Sequence, residues 1–185
     1  MSAVSLGGFR PSGQQVTTAL LETERWTKQQ RQLLPVEALL GSWRLCFTAP
    51  KKPAFKAGQP VGKGFYIPRL VQAWISFSQD NPDDGSLTVQ NQLWVGPVQI
   101  RFSGPAKFLA KKNLLAFDFV RLEVFLSHWR LLNQPVRGGK AKVADFGATS
   151  IAKLPFFAFF AATDQYIAAR GRGGGLALWA KVNFG

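Results

Sequence analysis

The sequence is poor in several residue types, and each shortage narrows what the protein can do. Cys46 is the only cysteine, so no disulfide can form within the chain, which favours an intracellular compartment over a secreted one. His128 is the only histidine, and no group of residues has the spacing of metal ligands. Neither a nucleophile elbow nor a phosphate-binding glycine loop is present. We therefore expect no catalytic residues, no metal site and no enzyme activity.

Acidic residues and long apolar runs are also scarce. The chain has 10 aspartate and glutamate residues against 23 lysine and arginine residues, which gives a formal net charge of +13. Such an excess favours a polyanionic partner: nucleic acid, an anionic membrane surface or an acidic protein. No apolar run reaches the roughly 20 residues that a membrane-spanning helix needs. The N-terminus lacks the apolar core of a signal peptide, so we expect a protein that is not secreted.

The first third of the chain predicts a helix that leads into a sheet. Residues 1–11 are expected to form a flexible arm, and Ser12 can cap a helix over residues 12–34. From Gly41 onward the spacing of apolar residues changes to period two, which is typical of a strand. The side chains that this alternation places together on one face are Trp43, Leu45, Phe47 and Ala49.

About eight strand candidates follow, and no linker divides them from the helix. We therefore expect a single, mainly β domain over residues 12–185, with the barrel over residues 41–185. The clearest pair is a β-hairpin whose two alternating segments flank Gly96 and Pro97. Eight strands suit a small closed antiparallel barrel, because closure removes the exposed edges that an open sheet would leave. The expected fold is thus an antiparallel eight-stranded barrel with an N-terminal helix.

Two segments carry a family resemblance. The run from Leu40 to Thr48 is similar to the opening of the plastid lipid-associated protein family (fibrillins, or plastoglobulins) of plants, algae and cyanobacteria. Near the C-terminus the residues that match are Asp164, Tyr166, Arg170 and Gly171, followed by the strand at 176–182. The residues that depart from the family there are Ala161, Ala162, Thr163 and Ile167. A Gly-x-Trp opening after a helix also resembles the start of lipocalin-like barrels, in which the tryptophan plugs one end.

The resemblance implies a carrier or structural protein that binds a lipid, quinone or carotenoid. It also implies a peripheral location on the cytoplasmic side of thylakoid membranes or on lipid droplets, in a cyanobacterium or plastid. Aromatic residues are abundant, with 16 phenylalanines and 6 tryptophans, and a barrel would collect many of them around one interior. The candidate ligand-binding residues are Phe47, Phe65, Trp74, Trp94, Phe102, Phe117, Phe119, Phe160 and Trp179. The same rings could instead fill a packed core, and this alternative stays open.

Basic residues cluster in the loop after the first strand, where no acidic residue occurs between Ala38 and Gln79. The candidate membrane-surface residues are Lys51, Lys52, Lys56, Lys63 and Arg69, since each basic residue near an anionic bilayer contributes about 1 kcal/mol. A plain solvated face is the alternative. The run LPFFAFF at residues 154–160 is either a membrane-inserting segment or a buried strand. We also expect Arg170 to lie over the Trp43 ring and so join the last strands to the first.

Two other functions remain open at this point. A small barrel with basic residues resembles the lyases that attach bilin to phycobiliproteins, which need a cavity but few acid or base groups. Basic residues interleaved with aromatic rings could also grip single-stranded nucleic acid, although the glycines of the Arg-Gly-Arg-Gly stretch at 170–173 suit a hairpin turn better. A nucleic-acid partner is therefore not expected, and the oligomeric state stays undetermined.

Overall fold

The computed structural model describes residues 10–68, 70–81, 86–136 and 145–182. Its helix is α1 (Gly13–Gln29), and short 3-10 turns lie at Val36–Leu39, Ala110–Lys112 and Ile151–Lys153. The strands are β1 (Gly41–Ala49), β2 (Ala54–Lys56), β3 (Gln59–Val61), β4 (Phe65–Tyr66), β5 (Gln72–Asn81), β6 (Ser86–Val95), β7 (Val98–Leu109), β8 (Leu114–Phe117), β9 (Arg121–Leu126), β10 (Trp129–Pro135), β11 (Phe156–Ala162), β12 (Tyr166–Gly171) and β13 (Leu176–Lys181).

Eight of these strands close into an antiparallel barrel. The hydrogen-bonded order is β7–β6–β5–β1–β13–β12–β11–β8, and pairing of β8 with β7 completes the ring. The predicted hairpin is confirmed as β6 and β7, which pair residue by residue from Val95 with Val98 to Leu87 with Ala106. The fold is mainly β, with one N-terminal helix outside the barrel, and is consistent with a lipocalin-like architecture, as the sequence predicts.

Strand β7 pairs with two different strands along its length. Its last four residues pair with β8, whereas Val98 to Ser103 pair with β9, and β10 then pairs with β9 outside the ring. Gly104 lies at the junction, where an added Cβ would stand 1.9 Å from the carbonyl oxygen of Asp118. Only glycine lets the chain cross that closely. The hairpin of residues 121–135, called the flap below, therefore extends from the wall of the barrel.

Helix α1 covers part of the outer face of the barrel. Ser12 caps it as predicted, in a capping box with Gln15. Its apolar side packs on outward-facing residues of β1, β11, β12 and β13. The helix ends at Gln29 rather than at residue 34, because Arg31 takes a left-handed conformation with φ of 50°. The Asn113 side chain then holds the following segment through the carbonyl of Gln32 and the amide of Leu34.

The barrel is plugged at the end from which β1 starts. Leu34, Leu39 and Trp43 are buried there in the interior core, and the Trp43 indole donates a hydrogen bond of 2.7 Å to the Leu39 carbonyl. The cation over the Trp43 ring is Lys181, whose Nζ lies 4.2 Å from the ring centroid. The expectation that Arg170 fills this position is wrong.

Arg170 instead ties α1 to the barrel. Its guanidinium donates to both carboxylate oxygens of Glu24, at 2.8 and 2.5 Å, and to the carbonyls of Pro53 and Gly174. Burial raises the pKa of Glu24, but hydrogen bonds from Arg170 and Lys28 outweigh that effect, so the pKa lies below its ordinary value. The charged pair thus fixes the helix against the strand β12 that carries Arg170.

A β-bulge changes the face that β1 presents to the interior. The register of β1 against β13 shifts between Leu45 and Phe47, so the side chains before and after the bulge no longer alternate. Trp43 and Leu45 pack with the interior core, whereas Phe47 and Ala49 pack beneath α1. The prediction of one common face for these four residues is wrong beyond the bulge.

Candidate functional site

An uninterrupted series of aromatic rings lines the barrel interior. Neighbouring ring centroids lie between 5.1 and 6.1 Å apart, the separation of stacked and edge-to-face pairs. Phe157 is the centre of the series, because its ring contacts Phe117, Phe159 and Trp179. The rings in the series are Phe102, Phe119, Phe117, Phe157, Trp179, Phe159 and Phe77.

The rings do not fill the interior completely. A cavity of about 280 Å³ is lined by Leu45, Ala73, Trp74, Ile75, Asn91, Phe157, Ala177 and Trp179. Its wall is apolar apart from Asn91, which pairs with Ile75 and Phe102 across the sheet and is exposed to solvent. A mostly apolar pocket with one or two polar groups that fix orientation is the usual form of a small-molecule site.

The cavity lies toward the end of the barrel opposite the plug, called the mouth below. Ala49 pairs there with Leu176, Gln72 with Trp94, and Val98 with both Val95 and Leu126. The loop of residues 50–71 and the turns at 96–97, 127–128 and 172–175 therefore all lie at the mouth. On this side β7 pairs with β9 of the flap instead of with β8. The apolar inner surface of the barrel therefore extends onto the flap.

The structure distributes the nine predicted ligand-binding residues over several environments. The four that belong to the interior series are Phe102, Phe117, Phe119 and Trp179. Phe47 and Phe160 are buried beneath α1 and do not face the interior, because of the bulge in β1 and the alternation of β11. Phe65 is 53% exposed in β4 at the mouth. These three do not line the interior cavity, and of the four predicted residues in the series only Trp179 does.

Trp74 and Trp94 stack on each other, with ring centroids 4.9 Å apart. Trp74 pairs with Arg44 and Gln92 across the sheet, and these positions face away from the interior, opposite to Ile75. The residue Trp74 nevertheless borders the cavity wall. The pair therefore lies on the wall near the mouth, and of its two members Trp74 borders the cavity whereas Trp94 does not.

Three interior residues were not among the predicted ligand contacts: Phe77, Phe157 and Phe159. The sequence does show an aromatic segment at β11, in which Phe157 and Phe159 lie between Phe156 and Phe160. Both faces of β11 are covered, however, one by the interior core and the other by α1 and further outer residues. Alternation of polar and apolar residues is therefore missing, and the inner face of this strand could not be distinguished from its outer face.

A second apolar cavity, of about 310 Å³, lies between α1 and the outer face of the barrel. Its wall includes Val16, Ala19 and Leu20 of the helix and Phe160 and Leu178 of the sheet. It contains no series of stacked rings, and it lies under the helix rather than at the mouth. We therefore take the interior cavity as the candidate site and use the second cavity as an internal comparison.

The basic residues predicted to face a membrane lie on the mouth side. Lys51, Lys52, Lys56 and Lys63 are all exposed in the loop that joins β1 to β5; residues 50–63 are called the basic loop below. Arg69 lies outside the described residues. The LPFFAFF segment is not an inserting loop, because it leads into β11, where Phe159 and Phe160 are buried.

Several titratable groups of the described residues do not line the interior cavity. Burial raises the pKa of Asp118 and that of the Cys46 thiol, while Glu123 is paired with Arg101 and Arg130. No group of three potential metal ligands occurs within the described residues. In the same part of the chain, no helix combines the length and the apolar character needed to cross a bilayer.

The geometry defines a class: a closed eight-stranded barrel of lipocalin-like architecture, compatible with binding small hydrophobic ligands. The comparisons with known proteins add no family to this description. No family model matches the sequence, and no curated protein is significantly similar to it. The resemblance to fibrillins therefore stays a prediction.

Proposed function

We propose that this protein binds a hydrophobic small molecule, such as a lipid, quinone or carotenoid, inside its barrel and carries it at an anionic membrane surface. The observation that supports the proposal is the apolar cavity near the mouth, with stacked rings on one side and the single amide of Asn91. This arrangement suits a ligand with an apolar body and one hydrogen-bonding group, for which Asn91 offers both a donor and an acceptor.

The size of the cavity limits how much of a ligand it can hold. Pockets that enclose a complete drug-sized molecule span about 300–1,000 Å³, and this one measures about 280 Å³. A ring or short chain segment fits inside, and a longer tail would leave through the mouth along the flap. Burial of about 200 Å² of apolar ligand surface would contribute roughly 5 kcal/mol, which suits a carrier that must release its cargo.

The basic loop supports a peripheral association with the membrane. Its four lysines are exposed at the mouth, and each would contribute about 1 kcal/mol against an anionic bilayer, an effect that salt screens. A thylakoid or lipid-droplet surface is the location that the fibrillin resemblance suggests. We propose a non-catalytic role, since the lone histidine and cysteine are far apart in sequence and Cys46 is buried.

Filling the cavity tests the ligand site. Ala177→Phe places a ring in the interior cavity, while Ala161→Phe does the same in the cavity beneath α1. Decylplastoquinone, added to the purified protein, should quench the fluorescence of Trp179 in the wild-type protein and in the Ala161 variant. The Ala177 variant should bind at least tenfold more weakly. Equal loss in both variants, or loss only in the Ala161 variant, would contradict the interior site.

Charge reversal tests the membrane surface separately. The double variant Lys51→Glu, Lys52→Glu should lose most binding to phosphatidylglycerol vesicles while it still binds decylplastoquinone. The matched control is Lys111→Glu, Lys112→Glu, because these exposed lysines precede Asn113 near the plugged end. Equal vesicle binding by the two double variants would end the proposal that the mouth side docks.

A further inference from the structure

Large apolar side chains that are exposed concentrate on one side of the molecule. The described part of the chain has ten of them, and only Trp26 and Leu33 belong to α1 or to the segment that follows it. The other eight lie in the loop of residues 50–71, beside the β6–β7 turn, or on the flap. They are Val61, Phe65, Leu70, Val95, Leu126, Trp129, Leu131 and Leu132. Singly scattered apolar residues are normal on a surface, but adjoining ones mark an interaction site. Four of the eight, Leu126, Trp129, Leu131 and Leu132, adjoin one another in the flap hairpin.

The flap supplies the most exposed part of this group. All seven residues of β10 are exposed, and Trp129 and Leu131 are 68% and 61% exposed. Across the sheet Leu132 pairs with Val124, which pairs in turn with Ile100 on β7. The apolar inner surface of the barrel thus continues through the mouth onto a strand that faces solvent.

The charges around this group favour an anionic surface. Glu123 is the only acidic residue in the described parts of the flap, the β6–β7 turn and the loop of residues 50–71. Arg101 and Arg130 lie 3.7 and 3.5 Å from its carboxylate and compensate its charge. The four lysines of the basic loop and Arg172 are exposed at the same end. Apolar residues within a basic border suit a bilayer of anionic lipids, in which tryptophan prefers the headgroup level.

We propose that the flap inserts into the membrane interface, with Trp129 and Leu131 as its anchors, so that the mouth faces the lipid. The ligand would then pass between bilayer and barrel along an apolar surface without crossing water. The transfer part rests on the proposed ligand-binding function, whereas insertion of the flap does not. The basic loop would supply attraction and orientation, and the apolar side chains of the flap would supply most of the residence time.

A matched pair of double variants tests insertion. Trp129→Ser, Leu131→Ser removes the anchors. Trp26→Ser, Leu33→Ser removes a tryptophan and a leucine of similar exposure, 54% and 60%, that do not belong to the flap. Binding to vesicles of three parts phosphatidylcholine and one part phosphatidylglycerol is measured by sedimentation. The flap variant should bind at least about tenfold more weakly than wild type, since each buried ring or leucine contributes a factor of that order. The control should bind as wild type does.

A second measurement in the same experiment locates the flap. Lipids brominated near the headgroup should quench the Trp129 fluorescence, seen as the difference between wild type and a Trp129→Phe variant. Equal binding of the flap and control variants, or absence of quenching, would overturn the proposal. The proposal would also be overturned if the wild type formed a dimer and did not bind vesicles, while the flap substitutions converted the dimer into monomers. In that case β10 would pair with a second copy of the chain.

The failure of the ligand-binding proposal gives a different result. Decylplastoquinone added in dilute detergent reports the interior cavity without a bilayer, and the flap variant should bind it as wild type does. If wild type fails to bind the quinone but its vesicle binding depends on the flap, the ligand function fails and insertion stands. If quinone binding is intact and the flap substitutions leave both vesicle binding and transfer from vesicles unchanged, insertion fails and the ligand function stands.

Discussion

The contact between Glu24 and Arg170 gives a stability prediction whose size can be derived from the structure. Glu24 is buried, and Arg170 donates to both of its carboxylate oxygens and to two backbone carbonyls. Arg170→Met removes all four hydrogen bonds and leaves a buried carboxylate. Breaking a buried pair from one side costs about 3–5 kcal/mol, and we expect the lower value because Lys28 remains 2.7 Å from Glu24. The melting temperature should fall by roughly 6–12 °C.

Lys28→Met is the matched control. It removes the other cation that contacts Glu24, but Lys28 is largely exposed and one helical turn away. Because the Lys28 ammonium is exposed to solvent, we expect this i,i+4 pair to contribute about 0.3–0.5 kcal/mol, so the melting temperature should fall by less than about 2 °C. Thermal unfolding followed by circular dichroism measures both variants at pH 7. Equal effects of the two substitutions would show that Arg170 does not hold the helix in place.

The pH dependence checks the same reasoning independently. The folded-state pKa of Glu24 lies below the ordinary value of 4.5, so the stability contributed by its charge is fully present above that value. It is lost as the pH falls through the lowered pKa of the folded state. The difference in stability between wild type and Arg170→Met should therefore shrink in acid. A difference that stays constant from pH 7 down to acid would refute the assignment to Glu24.

Two further predictions concern the junction of the sheet and the plugged end. Gly104→Ala should destabilise the protein by more than about 2 kcal/mol, since the new Cβ would lie 1.9 Å from a backbone oxygen. In the control Gly173→Ala the new Cβ meets open space, so stability should change by less than about 0.5 kcal/mol. Urea unfolding measures both variants. Lys181→Met should cost about 0.5–2 kcal/mol through the lost contact with the Trp43 ring, and a cost no larger than that of an exposed lysine would contradict this role.

The sequence predicts the fold well where one face of a strand is polar. In β6 and β7, apolar residues such as Val89 and Ile100 alternate with Gln90 and Arg101, and this alternation predicts the hairpin together with its turn. The count of about eight strands and the change from helical to strand spacing at Gly41 were enough to predict a closed barrel. Each of these patterns follows from local periodicity, which a single sequence contains.

The positions of individual side chains were harder to predict, for three physical reasons. Strands beneath α1, such as β13 with the sequence LALWAK, are apolar on both faces, so periodicity does not separate Leu178 outside from Trp179 inside. The bulge at Leu45 and Phe47 reverses the facing of β1 without any marker residue. Arg170 and Lys181 both lie on the last two strands, and their register decides which one reaches Trp43.

The flap also could not be recognised from the sequence. Residues 114–126 form one largely apolar segment, interrupted by Asp118, Arg121 and Glu123, which the sequence presents as a strand or a pair of strands. The break occurs between Phe117 and Arg121 because the register against β7 shifts by one residue near Gly104. Such a shift depends on tertiary pairing, so the exposed position of Trp129 appears only in the structure.

The most direct test of the central claim is native mass spectrometry, with organic extraction, of the protein purified from its own source. We expect one lipid, quinone or carotenoid per chain in the wild-type protein. We expect none in the Ala177→Phe variant, whose new ring would occupy the cavity of about 280 Å³. An empty wild-type protein that stays empty after incubation with a thylakoid lipid extract would contradict the claim and indicate a structural or protein-binding role.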